Sequence, residues 1–194
     1  MPLALVSDIH GNDRAFAAVV AELDRLGVDR AVCLGDAVQG GDDPRQVLDR
    51  LVGLGWPVVL GNADDFLLEV QVDSPEEITE AQLEKRAWTL AQLDAGHLGQ
   101  IRSFQRTIEL GSLLAFHGSP RSYDDLIFPD TGDAEIERLL GGSGVDVLAG
   151  GHTHRQWTRV IGGALYVNPG AVMSEPAEFA VLTDRSVEFF RCAY

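Results

Sequence analysis

Short apolar runs alternate with amphipathic segments along most of the chain. In the first third, the apolar runs at 3–7, 31–35 and 57–61 are typical of buried strands. The two segments between these runs carry apolar residues at helical spacing, and the second begins with Asp43 and Pro44, a typical helix start. This strand–helix–strand–helix–strand order predicts a parallel sheet with right-handed crossovers.

The middle of the chain has a different pattern. Residues 66–105 contain no strand-like run, and the stretch 74–77 (Ser-Pro-Glu-Glu) has the form of a capping box with proline at the first helical position. The pattern predicts a helix from there to near Leu93 and a shorter helix to Phe104. We expect 66–105 to be a helical insertion or cap that borders the functional cleft, within a single domain spanning 1–194.

The second half is rich in predicted strands. Gly111 and Ser112 predict a hairpin between 106–110 and 113–117. A long polar loop at 118–132 and a helix near 133–140 follow. The remaining predicted strands are 145–150, 156–161, 164–168, 178–183 and 186–191.

Polar residues follow the apolar runs at the points where the predicted strands end. The side chains concerned are Asp8, His10, Asp36, Asn62, His117, His152 and His154. In open α/β sheets, ligands bind beyond the carboxyl ends of the strands. We therefore expect these seven side chains to meet at one edge of the sheet structure.

The seven side chains have the chemistry of metal ligands. They comprise two carboxylates, one amide and four of the five histidines, with no thiolate. Mixed oxygen and nitrogen ligands suit Mn²⁺, Fe, Zn²⁺ or Ni²⁺ and disfavour a cysteine-type structural zinc site. Seven ligands are too many for one ion but suit two ions with a bridging carboxylate. Two ions about 3.5–4 Å apart can clamp the attacking and leaving oxygens of a phosphoryl group.

The order D-x-H, G-D, G-N, H and G-H-x-H, from Asp8 to about Gly170, resembles the calcineurin-like metallophosphoesterases. The resemblance implies an α/β fold, a four-layer α/β/β/α sandwich of two mixed sheets with a two-metal site at one end, for which Mn²⁺ is our first choice. It also implies that a water or hydroxide between the ions attacks phosphorus, with Asn62 and His154 able to steady the phosphoryl oxygens. In that family the residues matching Asp8, His10, Asp36 and His154 hold the first ion, and those matching Asp36, Asn62, His117 and His152 hold the second, so that Asp36 is the bridge.

One position departs from the family pattern. Many members carry a histidine directly after the asparagine of the G-N motif, where it is thought to protonate the leaving group, and this chain has Ala63. General acid catalysis typically contributes about 10²–10⁴-fold, so we expect the rate to depend strongly on the leaving group. A subgroup of small bacterial and archaeal phosphodiesterases also lacks this histidine, and the chain resembles it most. Asp64 could act through water or orient nearby ligands.

Two further residues are candidates for substrate contact. Asn12 is expected to cap the first helix, whose free amides beside the site could help to hold phosphate. Arg121, in the loop that follows His117, could contact phosphate or be a solvated charge.

The formal net charge of −15 narrows the choice of partner. Such a surface repels a nucleic-acid polymer but not a small phosphorylated substrate held by metal ions. No apolar stretch approaches the length of about 18 residues that spans a bilayer, so no membrane partner is expected. The first residues do not resemble a signal peptide and there are only two cysteines, so we expect a cytoplasmic protein. The oligomeric state is not predicted.

The sequence therefore predicts a di-metal phosphoesterase, with phosphodiester hydrolysis as the first choice and monoester hydrolysis as the second. One alternative is a phosphatase of phosphoproteins or a hydrolase of dinucleoside polyphosphates. The loop after Asp36 has no basic cluster for an extended polyphosphate, which argues against the latter. The other alternative is a non-catalytic metal-binding module, but such a module is expected to lose ligands and this chain has the full set.

Overall fold

Nine strands and six helices occupy the residues that this computed structural model describes, which are 1–69, 78–142 and 144–194. In chain order they are β1 (Leu3–Val6), α1 (Asp13–Leu26), β2 (Ala31–Cys33), α2 (Pro44–Leu54), α3 (Asn62–Leu68), α4 (Glu80–Gln92), α5 (Ala95–Arg102), β3 (Ile108–Leu110), β4 (Leu113–Ala115), α6 (Asp133–Leu140), β5 (Val147–Ala149), β6 (Gln156–Ile161), β7 (Ala164–Pro169), β8 (Ala177–Thr183) and β9 (Ser186–Cys192).

The strands form two mixed sheets. The first sheet has the order β2-β1-β8-β9, in which β1 pairs parallel with β2 and antiparallel with β8. The second has the order β3-β4-β5-β7-β6, in which β5 lies parallel to both β4 and β7. The hairpin predicted at Gly111 and Ser112 joins β3 to β4. The parallel strands β1 and β2 of the first sheet and β4 and β5 of the second lead into the polar residues singled out above.

Three apolar clusters separate four layers, and β1 shows why its sequence is an unbroken apolar run. Ala4 and Val6 face a cluster that includes Phe16 of α1 and Leu48 of α2. Leu3 and Leu5 point the other way, into a cluster shared by the two sheets. Successive residues of a strand face opposite sides, so a strand buried on both faces is apolar throughout. A third cluster packs the second sheet against Ile136, Leu139 and Leu140 of α6. The predicted α/β/β/α sandwich is confirmed.

The third strand predicted in the first half, 57–61, is wrong as a full strand. Val58 and Val59 make only isolated parallel bridges, to Cys33 and to Gln105. Pro57 has no N–H to donate to a ladder, and the chain enters α3 at Asn62, so only a few residues remain to be paired. α3 itself was not predicted.

The described part of 66–105 is helical. The predicted capping box at 74–77 lies outside the described residues. α4 begins at Glu80, where Thr79 accepts a hydrogen bond from the Gln82 amide. Both α4 and α5 pack against α2 and α3, and Arg86 donates to the Phe66 carbonyl at 2.6 Å. That this segment caps the functional cleft stays a prediction. Within the described ranges, none of the helices combines the length and the apolar character that a bilayer crossing needs.

Candidate metal centre

The polar residues that follow the strands meet at one edge of the sandwich. Asp8 and His10 follow β1, Asp36 follows β2, Asn62 is the first residue of α3, His117 follows β4, and His152 and His154 follow β5. Both sheets therefore contribute. Residues up to 146 positions apart in the sequence come together because β1 and β2 of one sheet and β4 and β5 of the other end at the same edge.

The four histidines and the two carboxylates of this edge form two groups. The first group is Asp8, His10 and His154, and the second group is Asp36, His117 and His152. Within each group the candidate ligand atoms all lie within 4.8 Å of one another. His154 Nε2 lies 3.1 Å from Asp8 Oδ1, and His117 Nε2 lies 3.3 Å from Asp36 Oδ2. Each group has a size that one metal ion can fill.

Asp36 lies between the two groups. Its Oδ2 is 3.3 Å from His117 Nε2 in the second group and 3.6 Å from His10 Nε2 in the first. Its Oδ1 accepts a hydrogen bond from the Ala63 amide at 2.8 Å, so Oδ2 is the oxygen that faces both groups. Asn62 Oδ1 lies 3.1 Å from His117 Nε2 and so belongs with the second group. This arrangement suits the predicted bridge.

The backbone is strained where these side chains emerge. Asp8, His10, Asp36, His152 and His154 have φ between 49° and 65°, in the left-handed region that non-glycine residues rarely adopt. Among the described residues, Asp184 in a hairpin turn is the one other non-glycine residue with positive φ. Such conformations cost on the order of 1–3 kcal/mol each and concentrate at functional sites. The strain marks this edge as a site whose geometry outweighs local backbone preference.

Two glycines allow the loops to approach closely. A methyl group at Gly61 would overlap the Asp36 carboxylate, and one at Gly151 would overlap Ser7 Oγ and lie 2.9 Å from Asp8 Oδ2. Any larger residue at either position would displace a carboxylate of the site.

Backbone carbonyls orient two of the imidazoles. His10 Nδ1 lies 2.7 Å from the Gln39 carbonyl oxygen, and His117 Nδ1 lies 2.7 Å from that of Leu34. A carbonyl only accepts, so each Nδ1 carries a proton and donates it. The opposite nitrogen, Nε2, is directed into the site in both residues. Outer contacts of this kind commonly fix the ring orientation of metal-binding histidines.

The site is electrostatically suited to a cation. Burial alone would raise the pKa of Asp36, but the charge of His117 and its hydrogen bond outweigh burial and lower it. Burial would lower the pKa of His117, but the charge of Asp36 outweighs it and raises the pKa to about 10. Contact with Asp8 raises the pKa of His154. The carboxylates thus favour positive charge on two imidazoles, and a bound divalent cation would supply that charge and displace the protons.

Asp64 is fully buried and holds the loops of two candidate ligands together. Its carboxylate accepts hydrogen bonds from the amides of Ala37 and Val38, both at 3.0 Å, and from the Gly61 amide at 3.3 Å. Burial and then the Asp36 charge raise its pKa to about 7, while the amides oppose the shift. This placement favours a role in positioning Asp36 and Asn62 over contact with substrate.

Sequence reasoning did not identify Asn168 as a supporting residue. Its side chain is completely buried. Its Nδ2 donates to the Gly151 carbonyl at 2.7 Å and to Thr153 Oγ1 at 3.1 Å, and its Oδ1 accepts from the Gly170 amide. Asn168 therefore holds the loop that carries His152 and His154. The signal in the sequence is an asparagine directly before Pro169, at the end of the predicted strand 164–168.

Three other residues make contacts outside the two groups. Asn12 caps α1 by accepting from the Ala15 amide at 3.0 Å, and its Nδ2 donates to Tyr194 Oη. Arg121 is exposed, with its guanidinium beside Gly141 at the end of α6. Substrate contact by Asn12 or Arg121 stays a prediction. The fifth histidine, His97, is in α5 and pairs with Asp94.

Comparison with known proteins agrees with this geometry. A family model described as the calcineurin-like phosphoesterase superfamily domain matches residues 1–185. The chain belongs to this superfamily. The resemblance carried by the sequence motifs is therefore confirmed. Membership of this superfamily supports the interpretation that the chain is a hydrolase.

Solved structures show the same fold. A metallophosphoesterase from Sphaerobacter thermophilus is 25% identical with a TM-score of 0.81, and the match covers 100% of this superfamily member and 89% of that chain. A hypothetical protein from Pyrococcus horikoshii is 18% identical with a TM-score of 0.88, and the match covers 100% of this chain and 88% of that chain.

A match in sequence covers a shorter stretch. An uncharacterized protein of Methanocaldococcus jannaschii is 36% identical over 62 residues, which are 32% of this chain and only 26% of that protein's length.

Proposed function

We propose that the chain is a di-metal-dependent phosphoesterase that hydrolyses phosphodiester bonds, and secondarily phosphomonoester bonds, of small substrates. The observation that carries the proposal is the position of Asp36. A single carboxylate oxygen lies 3.3 Å from one histidine group and 3.6 Å from the other. That position suits a ligand shared by two ions and not a structural site for one.

The donor set fits metal ions. Among the described residues, Asp8 Oδ1 and His10 Nε2 are buried without a hydrogen-bond partner, although they face each other at 3.8 Å. The 3.1 Å ion pair of Asp8 Oδ1 with His154 lacks hydrogen-bond alignment. Buried polar atoms normally have partners, and a cation would satisfy both. Imidazole and carboxylate donors without thiolate suit Mn²⁺, Fe, Zn²⁺ or Ni²⁺, and Mn²⁺ is our first choice.

In this proposal Asp8, His10, Asp36 and His154 hold one ion, and Asp36, Asn62, His117 and His152 hold the other. Two ions bound there would activate a water molecule and neutralise negative charge on the phosphoryl group.

The protein's own residues orient the reaction. The Ala63 amide holds the Asp36 carboxylate so that Oδ2 faces both histidine groups, where it would be shared by two bound ions. Asn62 lies at the start of α3 beside His117, and the His154 side chain is 39% exposed. Both are therefore placed where their polar atoms can steady phosphoryl oxygens. The first turn of α1, capped by Asn12, offers further amide donors.

The net charge favours a small substrate over a polymer, and the low number of cysteines favours a cytoplasmic location. The net charge of −15 disfavours a nucleic-acid polymer or an anionic membrane surface as partner. A small phosphoester held mainly by two cations needs no basic patch on the protein.

Hydrolysis of an aryl phosphodiester and an aryl phosphomonoester, side by side with added Mn²⁺, tests the proposal. The wild type should hydrolyse the diester faster. Asp36→Asn keeps an oxygen for the Ala63 amide but loses the bridging charge, so it should lose at least about 100-fold. Asp130→Asn removes the same charge from an exposed loop position and should behave as the wild type. Equal activity of Asp36→Asn and the wild type would contradict the proposal.

A further inference from the structure

The 118–132 loop is anchored on both sides of the second group. It begins beside His117. Tyr123 Oη donates to Asp65 Oδ2 at 2.6 Å. Asp65 lies on α3, three residues after Asn62. Further along, the Ile127 carbonyl accepts from Thr153 Oγ1 at 3.4 Å, and Thr153 lies between His152 and His154. The residues between these anchors, 124–126, are therefore held alongside the second group.

The first part of the loop folds back onto the residue after His117. A methyl group at Gly118 would lie 2.6 Å from the carbonyl oxygens of both Tyr123 and Asp125. Ser119 Oγ donates to the Asp125 carboxylate at 2.5 Å. The carboxylate of Asp125 thus holds the turn closed. Its neighbour Asp124 lies between two residues whose backbone is packed against Gly118.

The Asp124 carboxylate is exposed and makes neither a hydrogen bond nor an ion pair with the described residues. It is nevertheless close enough to the site for the charges of His117 and Asp36 to act on it. Partial burial and the charges of Asp125 and Asp36 raise its pKa, against the opposing charges of His117 and Arg106. Asp124 therefore keeps a proton to higher pH than an ordinary aspartate.

The start of α3 supplies no proton donor to this side of the site. Ala63 has only a methyl group, and Asp64 has no exposed surface and is occupied by three backbone amides. Tyr123 is committed to Asp65. Asp124 is thus the acidic group that the anchored loop brings to the second group with its carboxylate accessible.

We propose that Asp124 protonates the leaving-group oxygen, the role that the missing histidine at position 63 leaves open. This inference rests on the proposed phosphoesterase function. Water adds to phosphorus and releases a proton to solvent, the bond from phosphorus to the leaving oxygen breaks, and that oxygen takes the proton of the Asp124 carboxyl. The alcohol leaves, and solvent reprotonates Asp124. The strong leaving-group dependence expected from Ala63 alone then belongs to a variant without Asp124, and not to the wild type.

The test compares Asp124→Asn with the wild type on phosphodiesters whose leaving groups have graded pKa, from aryl to alkyl. The variant should lose about 10²-fold or more with alkyl leaving groups and less than about tenfold with activated aryl groups. It should also lose the fall in alkyl-ester rate that the wild type shows as pH rises and Asp124 deprotonates. Asp130→Asn, in the same loop, is the matched control. It should change neither the dependence of the rate on leaving-group pKa nor the pH profile.

Mn²⁺ binding measured without substrate separates this role from a structural one. Asp124→Asn should bind two Mn²⁺ ions with wild-type affinity. A uniform loss across all leaving groups, no loss at all, or a loss of Mn²⁺ affinity would overturn the assignment of Asp124. Absence of diester hydrolysis by the Mn²⁺-loaded wild type would instead overturn the proposed function, and with it this inference.

Discussion

Gly61→Ala tests whether the close approach of Gly61 to Asp36 sets the metal geometry. The Gly61 backbone has φ of −90° and ψ of 167°, which alanine adopts without strain, so the effect comes from crowding alone. The added methyl carbon would overlap Asp36 Oδ1 and the Asp36 amide nitrogen and lie 2.9 Å from Asp36 Cγ, whereas packed carbons lie about 3.5–4.0 Å apart. The Asp36 carboxylate and the backbone that carries it must therefore move by roughly 1 Å or more.

A movement of this size is incompatible with a bridging ligand. Carboxylate oxygens bind such ions at about 2.0–2.2 Å, with a tolerance of about 0.2 Å. We expect Gly61→Ala to weaken binding of at least one ion by about 100-fold or more. Overpacking costs about 1–3 kcal/mol, which in a domain of this size lowers Tm by roughly 2–12 °C.

Titration calorimetry with Mn²⁺ and thermal unfolding in chelator measure the two effects separately. Gly53→Ala is the matched control, because a methyl group there meets no described atom within 4 Å. Gly53 lies within α2, so alanine should stabilise the fold by about 0.5–1 kcal/mol and leave Mn²⁺ binding unchanged. Two ions bound by Gly61→Ala with wild-type affinity would refute the reasoning.

Three further predictions concern the same residues. Asp36→Ala should lower occupancy of both ions and His117→Ala mainly that of the second, as metal analysis after dialysis would show; retention of two ions and full activity by either variant would disprove the assignment. The raised pKa of His117, about 10, means that this imidazole is protonated at pH 7 and that the ion must displace its proton, so metal affinity should fall as pH falls. Calorimetry in buffers of different ionisation enthalpy should detect proton release at pH 7, and its absence would count against a metal on His117. Asp64→Ala leaves three buried amides without an acceptor and should destabilise the chelated protein by about 3–5 kcal/mol, while Asp64→Asn keeps one acceptor oxygen and should lose less; a chemical-denaturation difference below about 1 kcal/mol for the alanine variant would show that the contacts carry little stability.

Much of the fold was predictable because β-strand and helix periodicities are local. β1 is apolar throughout because it is buried on both faces, and α1 ends at Gly27, whose φ of 70° suits the left-handed helix cap. The polar residues after each strand could be identified as one site, since parallel strands place their carboxyl ends together.

The errors have local physical causes. Residues 57–61 have strand-like composition, but the chain must enter α3 at Asn62, and this leaves too few residues for a ladder. α3 went unpredicted because its first residue is itself a candidate ligand and its N-cap is Gly61, which makes no side-chain capping bond.

Contacts between distant residues left no periodic signal. Tyr123 and Asp65 are 58 positions apart, and nothing in either local sequence indicates that they meet. The placement of Asp124 beside the second group, and the support that Asn168 gives to the histidine loop, depend on such contacts. They could be recognised only after the two sheets were assembled.

The most direct test of the central claim is the number and mutual distance of ions bound by the wild type. Protein loaded with Mn²⁺ and freed of excess metal should contain two ions per chain. Its electron paramagnetic resonance spectrum should show exchange coupling between two Mn²⁺ ions that share the Asp36 carboxylate, at the separation of about 3.5–4 Å typical of such pairs. One ion per chain at saturation, or two ions without coupling, would contradict a shared carboxylate and the di-metal account built on it.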